Sequence, residues 1–423
     1  MVYQRLRAAF GIEDAFTSTN RRFRREFSKR VERRMNMRFY KWYLRAGQLM
    51  EKSQSWIYAG FDGQSTPENC TSIRINLTNL VQALAIHVVL KSMCKKEINP
   101  DMRDEDILKL CRLISKIWIA SKQDDEPCFN DNIPRSCRYE NNRELQKCLK
   151  TIFKIHGYGP DNALNMVVHG FEMMWRVVLR LFLEVQFVSS AKDPEWWGYI
   201  LKQYVKNATD EQFCTPNNSD AGTVDNNDDD EHYWRDPFVK LSAPQIVQEG
   251  LRLYPPMRRI YRASGFGPPQ EAEHNVDDIN SSLSTSKESF PEIQDMDEAF
   301  KSPYCRILAA DLESCILDRN VCGKETHRFD PSRWCKFTLG KIESLLTFGF
   351  RPDTCLAAEE YEARMVGLVV GALLVGLQGE DGSSKMTRRL ECRDPKVMTS
   401  LEAKGRLSLE RNTYDDLMLV GTR

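Results

Sequence analysis

The twenty-six residues from Ala163 to Val188 constrain this chain most, because they are hydrophobic yet carry His169, Glu172, Arg176, Arg180 and Glu184. Charges at that density are expensive in lipid, and they suit a buried helix passing a functional centre. A helix covered in that way needs a large surrounding core. The 423 residues are 41% hydrophobic and 10% aromatic, which is enough to supply one. The longest purely apolar run, Met365 to Leu377, is short for about 30 Å of hydrocarbon, so no membrane-spanning segment is expected. The N-terminus MVYQRLRAAFGIEDAF lacks a signal-peptide apolar core, and Glu13 and Asp14 argue against a mitochondrial presequence.

Lysine plus arginine and aspartate plus glutamate both number 60, so overall charge gives no reason to expect a nucleic-acid partner. Thirteen cysteines are an odd number without CxxC pairs, which points to a reducing, cytoplasmic setting and away from zinc ribbons or a disulfide framework. Charge is concentrated locally. Residues 20 to 46 are basic, with Phe23, Phe27, Val31, Met35, Phe39 and Tyr43 every fourth residue, and predict one amphipathic helix. Such a helix fits a solvated face, an acidic protein, an anionic membrane surface, or the carboxylates of a cofactor. Further helices are expected over 72 to 93 and 105 to 120, with His87 a satisfied core histidine. Residues 206 to 236 and 264 to 303 are polar and predict mobile surface loops; Asp228 to Glu231 lacks the pattern of a calcium loop.

Two places carry chemistry. Cys355 stands ahead of an apolar stretch ending at Leu377, and a thiol at a helix N-terminus is held as thiolate, which suits a metal ligand. Upstream, Glu249 and Arg252 share one helix face at i,i+3, and Pro255-Pro256 stops that helix. Arg258, Arg259 and Arg262 follow, then Phe329-Asp330-Pro331-Ser332-Arg333-Trp334.

The order Glu-x-x-Arg, Phe-x-Pro-x-Arg-Trp and a phenylalanine-to-cysteine loop resembles the cytochrome P-450 family, and looks like its fungal branch. The resemblance covers most of the chain as one domain, 1 to 423, with no counterpart for the family's membrane anchor or first small sheet. It implies a mainly α fold with small β sheets, lacking part of the usual N-terminal region. It also implies a buried triad of Glu249, Arg252 and Arg333, haem b held by Cys355 as the proximal iron ligand, and Phe348 in the family's aromatic position. The loop departs from Phe-x-x-Gly-x-Arg-x-Cys-x-Gly at Arg351, Asp353 and Ala357. Asp353 cannot pair a haem propionate, so Arg351, Arg259 or Arg262 would supply that charge. Gly170 and Glu172 match the family's distal-helix pattern, but Met173 replaces its threonine, leaving Glu172 to relay protons through water.

The resemblance therefore implies a haem-thiolate monooxygenase oxidising a lipophilic small molecule, of terpenoid or polyketide type, in fungal secondary metabolism. Electrons would come from an NADPH-dependent flavoprotein reductase docking on residues 21 to 45. The expected setting is the cytoplasm or the endoplasmic reticulum surface. Two alternatives follow from the departures: a haem-dependent isomerase, dehydratase or cyclase without oxygen activation, and a non-catalytic paralogue.

Overall fold

The computed structural model describes residues 2–18, 20–59, 72–95, 97–121, 134–154, 156–188, 194–209, 241–264, 306–323, 325–335, 361–378, 387–410 and 412–422. The expected loops 206–236 and 264–303 fall largely outside these residues, as does Asp228 to Glu231. Helices dominate, beginning with α1 (Val2–Phe10), α2 (Arg21–Met35), α3 (Phe39–Ala59), α4 (Leu77–Met93), α5 (Asp104–Ala120) and α6 (Arg143–Ile152). They continue with α7 (Leu164–Leu183), α8 (Pro194–Lys206), α9 (Ala243–Leu253), α10 (Leu312–Ile316), α11 (Arg319–Cys322), α12 (Tyr361–Gln378) and α13 (Pro395–Glu402). Two small antiparallel sheets complete the fold. In the first, β5 (Met418–Thr422) lies between β1 (Ser72–Asn76) and β4 (Thr387–Glu391), pairing Ser72 with Thr422 and Thr387 with Thr422. In the second, β2 (Arg259–Ser264) pairs with β3 (Arg306–Asp311), Arg259 opposite Asp311.

The core is built around α4, α7 and α12. Each is apolar on most of its circumference, so each must be covered on several sides. Helix α7 packs on α4, α12, α9 and α5, and α12 packs on α3, α8, α7 and α9. Gly371 permits the α8 contact, since a Cβ there would meet the Leu201 carbonyl at 2.5 Å and Val205 Cβ at 2.9 Å. By length and composition α12 could cross a membrane, in contrast to the sequence expectation, yet 83% of it is buried inside the protein. Helix α7 ends in one π turn, Glu184–Val188, so the expected buried helix runs its full length.

Two expectations about secondary structure are corrected. Residues 20 to 46 form two helices, because the chain breaks at Asn36, Met37 and Arg38, where the Asn36 N–H caps the Glu32 carbonyl and Asn36 leaves helical geometry at ψ 78°. The break re-aims the stripe: Phe27 and Val31 are buried, but on α3 Trp42 and Ala46 turn inward while Tyr43 is 58% exposed. Residues 72 to 76 are strand instead of helix. Ile73 and Ile75 alternate there, β5 pairs with them, and the Asn76 side chain accepts from the Asn79 N–H at 2.8 Å to start α4.

His87 also differs from a satisfied core histidine. Its Nδ1 is buried with no hydrogen-bond partner among the described residues. Burial, then Lys91 and Lys52, push its pKa down to about 4.

Candidate functional site

Glu249 is the centre of the best-defined polar cluster. Helix α9 begins at a Ser242 cap, where the Ser242 N–H donates to Gln245 Oε1 at 2.6 Å, and it ends at Leu253 before the proline pair. That span places Glu249 and Arg252 on the face turned to the segment 325–335. Glu249 and Arg252 are fully buried, and Arg333 is 9% exposed. The Glu249 carboxylate receives Arg252 Nε and Nη2, both at 2.8 Å, Arg333 Nε at 2.9 Å, Trp334 Nε1 at 3.0 Å, and the Asp330 backbone N–H at 2.9 Å.

The remaining guanidinium donors go to carbonyls. Arg252 Nη1 reaches Thr326 O at 2.8 Å, and Arg333 Nη1 reaches Cys322 O at 2.6 Å. Burial opposes the Arg252 charge, but the hydrogen bonds and charge of Glu249 outweigh it and its pKa lies above the ordinary value. The Glu249 carboxylate lies between the two guanidiniums, the Asp330 carboxylate stands 3.9 Å from Arg333 Nη2 as a second counter-charge, and the ring of carbonyl oxygens solvates the remaining donors. The cluster clamps the turn Pro331–Cys335 onto α9.

Glu172 sits midway along α7 and is 1% exposed. Its carboxylate lies 2.7 Å from Arg176 Nη2, accepts Trp175 Nε1 at 3.0 Å, and is 3.5 Å from Ser115 Oγ on α5. Arg176 stacks over the Trp175 ring at 4.3 Å. The carboxylate is thus held by its own helix. Met173, beside it, packs on the core.

A third cluster gathers where α12 begins, six residues beyond Cys355. Trp42 and Tyr361 lie 5.6 Å apart, and Arg364 stands 5.6 Å from the Trp42 ring. Arg45, one turn after Trp42, is 8% exposed and donates to Gln48 Oε1 and Lys91 O, both at 2.7 Å. Both acceptors are uncharged. Its Nε has no partner, and no carboxylate pairs it among the described residues. Burial lowers its pKa, with Tyr361 opposing. The sequence reading missed Arg45 because it is one of many cations in a basic run. Its only distinguishing mark is Trp42 three residues before, on the same face.

Cys355, Phe348, Arg351, Asp353 and Ala357 lie outside the described residues. Arg259 and Arg262 are placed on β2, opposite Asp311 and Leu308 of β3, by backbone register alone. Among the described cysteines, all free, burial pushes Cys94 and Cys148 up to about 12 and raises Cys111 well above the ordinary thiol value, which makes those three poor thiolate donors.

No protein-family model and no curated protein matches the chain. The solved structures it is similar to are cytochrome P450s. One, CYP109Q5 from Chondromyces apiculatus, is 12% identical at TM-score 0.43, covering 97% of this chain and 79% of that one. A mutant of cytochrome P450SP alpha is 10% identical at TM-score 0.48, covering 100% and 84%. CYP175A1 from Thermus thermophillus is 13% identical at 0.45, covering 88% and 75%. At these identities and TM-scores the likenesses carry no residue roles to this chain.

Proposed function

We propose that this chain is a haem-thiolate oxidoreductase of cytochrome P-450 type, with Cys355 as iron ligand. The observation that carries the reading is the buried cluster of Glu249, Arg252, Arg333 and Trp334, which joins two distant motifs of the resemblance. The Arg45 guanidinium supplies the fit to the cofactor. A buried cation whose partners among the described residues are neutral oxygens accommodates an anionic group, as a haem propionate is.

Haem b bound here would supply a redox-active iron, which Cys355 would hold through its thiolate. The protein's own groups supply position and charge. Arg45 would hold a propionate, with the Trp42 and Tyr361 rings beside it. The Glu249 cluster holds the Pro331–Cys335 turn and α12 begins at Tyr361, on either side of Cys355 in the sequence. Glu172 is occupied by Arg176 and Trp175, so passing a proton through its carboxylate first requires that ion pair to open.

The proposed reaction is oxidation of a lipophilic small molecule, in secondary metabolism of fungal type. Electrons would come from an NADPH-dependent flavoprotein reductase. The exposed surface of α2 and the start of α3 supports an acidic partner: residues 21 to 41 hold ten arginines and lysines against two glutamates, and Tyr40, Tyr43 and Leu44 are exposed beside them. The captive Glu172 and adjacent Met173 favour a second reading, haem-dependent isomerisation or cyclisation without oxygen activation.

Titration of the purified protein with hemin, followed by reductase and NADPH, tests the proposal. Stoichiometric haem uptake and substrate-stimulated NADPH oxidation support it. Uptake with turnover that ignores NADPH selects the second reading, and a folded protein that takes up no haem refutes both.

A further inference from the structure

Away from the Glu249 cluster and from Arg45, the π turn at the end of α7, α8, the end of α12 and β4 border an open groove of about 870 Å³. Its floor is apolar: Val185 and Leu374 are each 3% exposed. One wall is the outer face of α8, where Trp196 and Tyr199 lie three apart on one face. Their rings are stacked, with centroids 5.3 Å apart and an interplanar angle of 12°. They are 53% and 47% exposed, large for aromatic side chains packed in register with nothing over them among the described residues.

Lys202 follows Tyr199 by another three residues, and Arg388 lines the groove from β4. Among the described residues Glu195 is the one acid on the lining. The Lys202 ammonium is destabilised by burial first, and then by Lys206 and Arg388, against which Glu195 acts only in part. A partly sheltered ammonium on the lining, only partly offset by Glu195, attracts an anion. Flat rings standing beside it form a platform on which another ring gains contact by offset stacking.

We propose that this groove binds a small molecule in which a planar aromatic ring carries an anionic group, a carboxylate or a phosphate. The ring lies against Trp196 and Tyr199 over the Val185–Leu374 floor, and the anion faces Lys202. The site is separate from the cofactor reading and stands whether or not haem is bound.

Intrinsic fluorescence of the full-length protein, titrated with 2-naphthoate, its uncharged analogue 2-naphthamide, and 2-naphthyl phosphate, tests this. The expected result is saturable 1:1 binding of the two anions, about tenfold tighter than the amide. Trp196→Ala should weaken all three probes about tenfold, and Lys202→Gln should bring the anions and the amide within about twofold of each other. Tyr43→Ala, an exposed aromatic on α3, should change nothing. Whichever anion binds more tightly identifies the group Lys202 prefers. Absence of saturation in the millimolar range, or binding that ignores both Trp196→Ala and Lys202→Gln in protein with unchanged circular dichroism, overturns the proposal by excluding this groove.

Discussion

Replacing Glu249 by glutamine keeps the shape of the side chain and removes only its charge. Oε1 receives Arg252 Nη2, Arg333 Nε and the Asp330 N–H, while Oε2 receives Arg252 Nε and Trp334 Nε1. Whichever way the amide turns, its NH2 group faces at least two donors, and two buried guanidiniums lose their only shared counter-charge. Removing one partner of a buried pair costs about 3–5 kcal/mol. The predicted loss for Glu249→Gln is therefore about 4 kcal/mol, since bonds to both arginines are disturbed together. With a urea m-value of about 3 kcal/mol/M, the unfolding midpoint falls by roughly 1 M, read by tryptophan fluorescence and far-ultraviolet circular dichroism together. Arg22→Ala is the control. Its Glu26 partner is 3.0 Å away, but the two side chains are 89% and 64% exposed, so the change should stay within about 0.5 kcal/mol. If Glu249→Gln unfolds within about 0.2 M of the parent, the cluster does not clamp the Pro331–Cys335 turn and the structural reasoning fails.

Other consequences are equally specific. Burial pushes Glu184 up to about 7, with the Tyr254 hydroxyl bond opposing, so its neutral form is favoured in the folded state. That contribution is whole below the unfolded carboxyl value near 4.5 and is lost as pH rises toward 7; Glu184→Gln should gain on the parent by about 2–3 kcal/mol between pH 5 and pH 8 in thermal melts. Glu362, pushed up to about 8 by burial, acts in the same direction, and a double variant with Glu362→Gln should flatten the profile further. Gly371→Ala should destabilise by about 1–3 kcal/mol through its clash with the Leu201 carbonyl, whereas Gly47→Ala, with nothing within 4 Å, should stabilise by up to about 1 kcal/mol; urea midpoints separate them. Arg45→Ala should weaken hemin binding about tenfold or more in a Soret titration, and an unchanged affinity would remove Arg45 from the cofactor reading.

Local signals were legible in the sequence, and signals that depend on distant partners were not. Glu249 and Arg252 lie three residues apart on a helix whose cap and proline stop are both visible, so their shared face could be read directly. Arg333 joins them across 84 residues, and only the family resemblance suggested it. The break between α2 and α3 was hidden because the four-residue spacing continues through Asn36 to Arg38, although Asn36 carries the capping signal. Strand β1 has only two apolar positions, and the partner that makes it a strand is at the other end of the chain. Arg180 read as an interruption of an apolar run. Its side chain is buried and spends its donors on the Ser408 and Glu410 carbonyls, far off in sequence. Glu172 was read as free to relay protons, while Arg176, one turn on, holds it.

The central claim is that Cys355 binds a haem iron as thiolate. It is tested most directly by the absorption spectrum of the haem-loaded protein, reduced and exposed to carbon monoxide, beside that of Cys355→Ala. The account predicts a red-shifted, thiolate-type Soret band in the parent that is absent from the variant, with both proteins folded. The same band in Cys355→Ala, or none in haem-loaded parent protein, would contradict it.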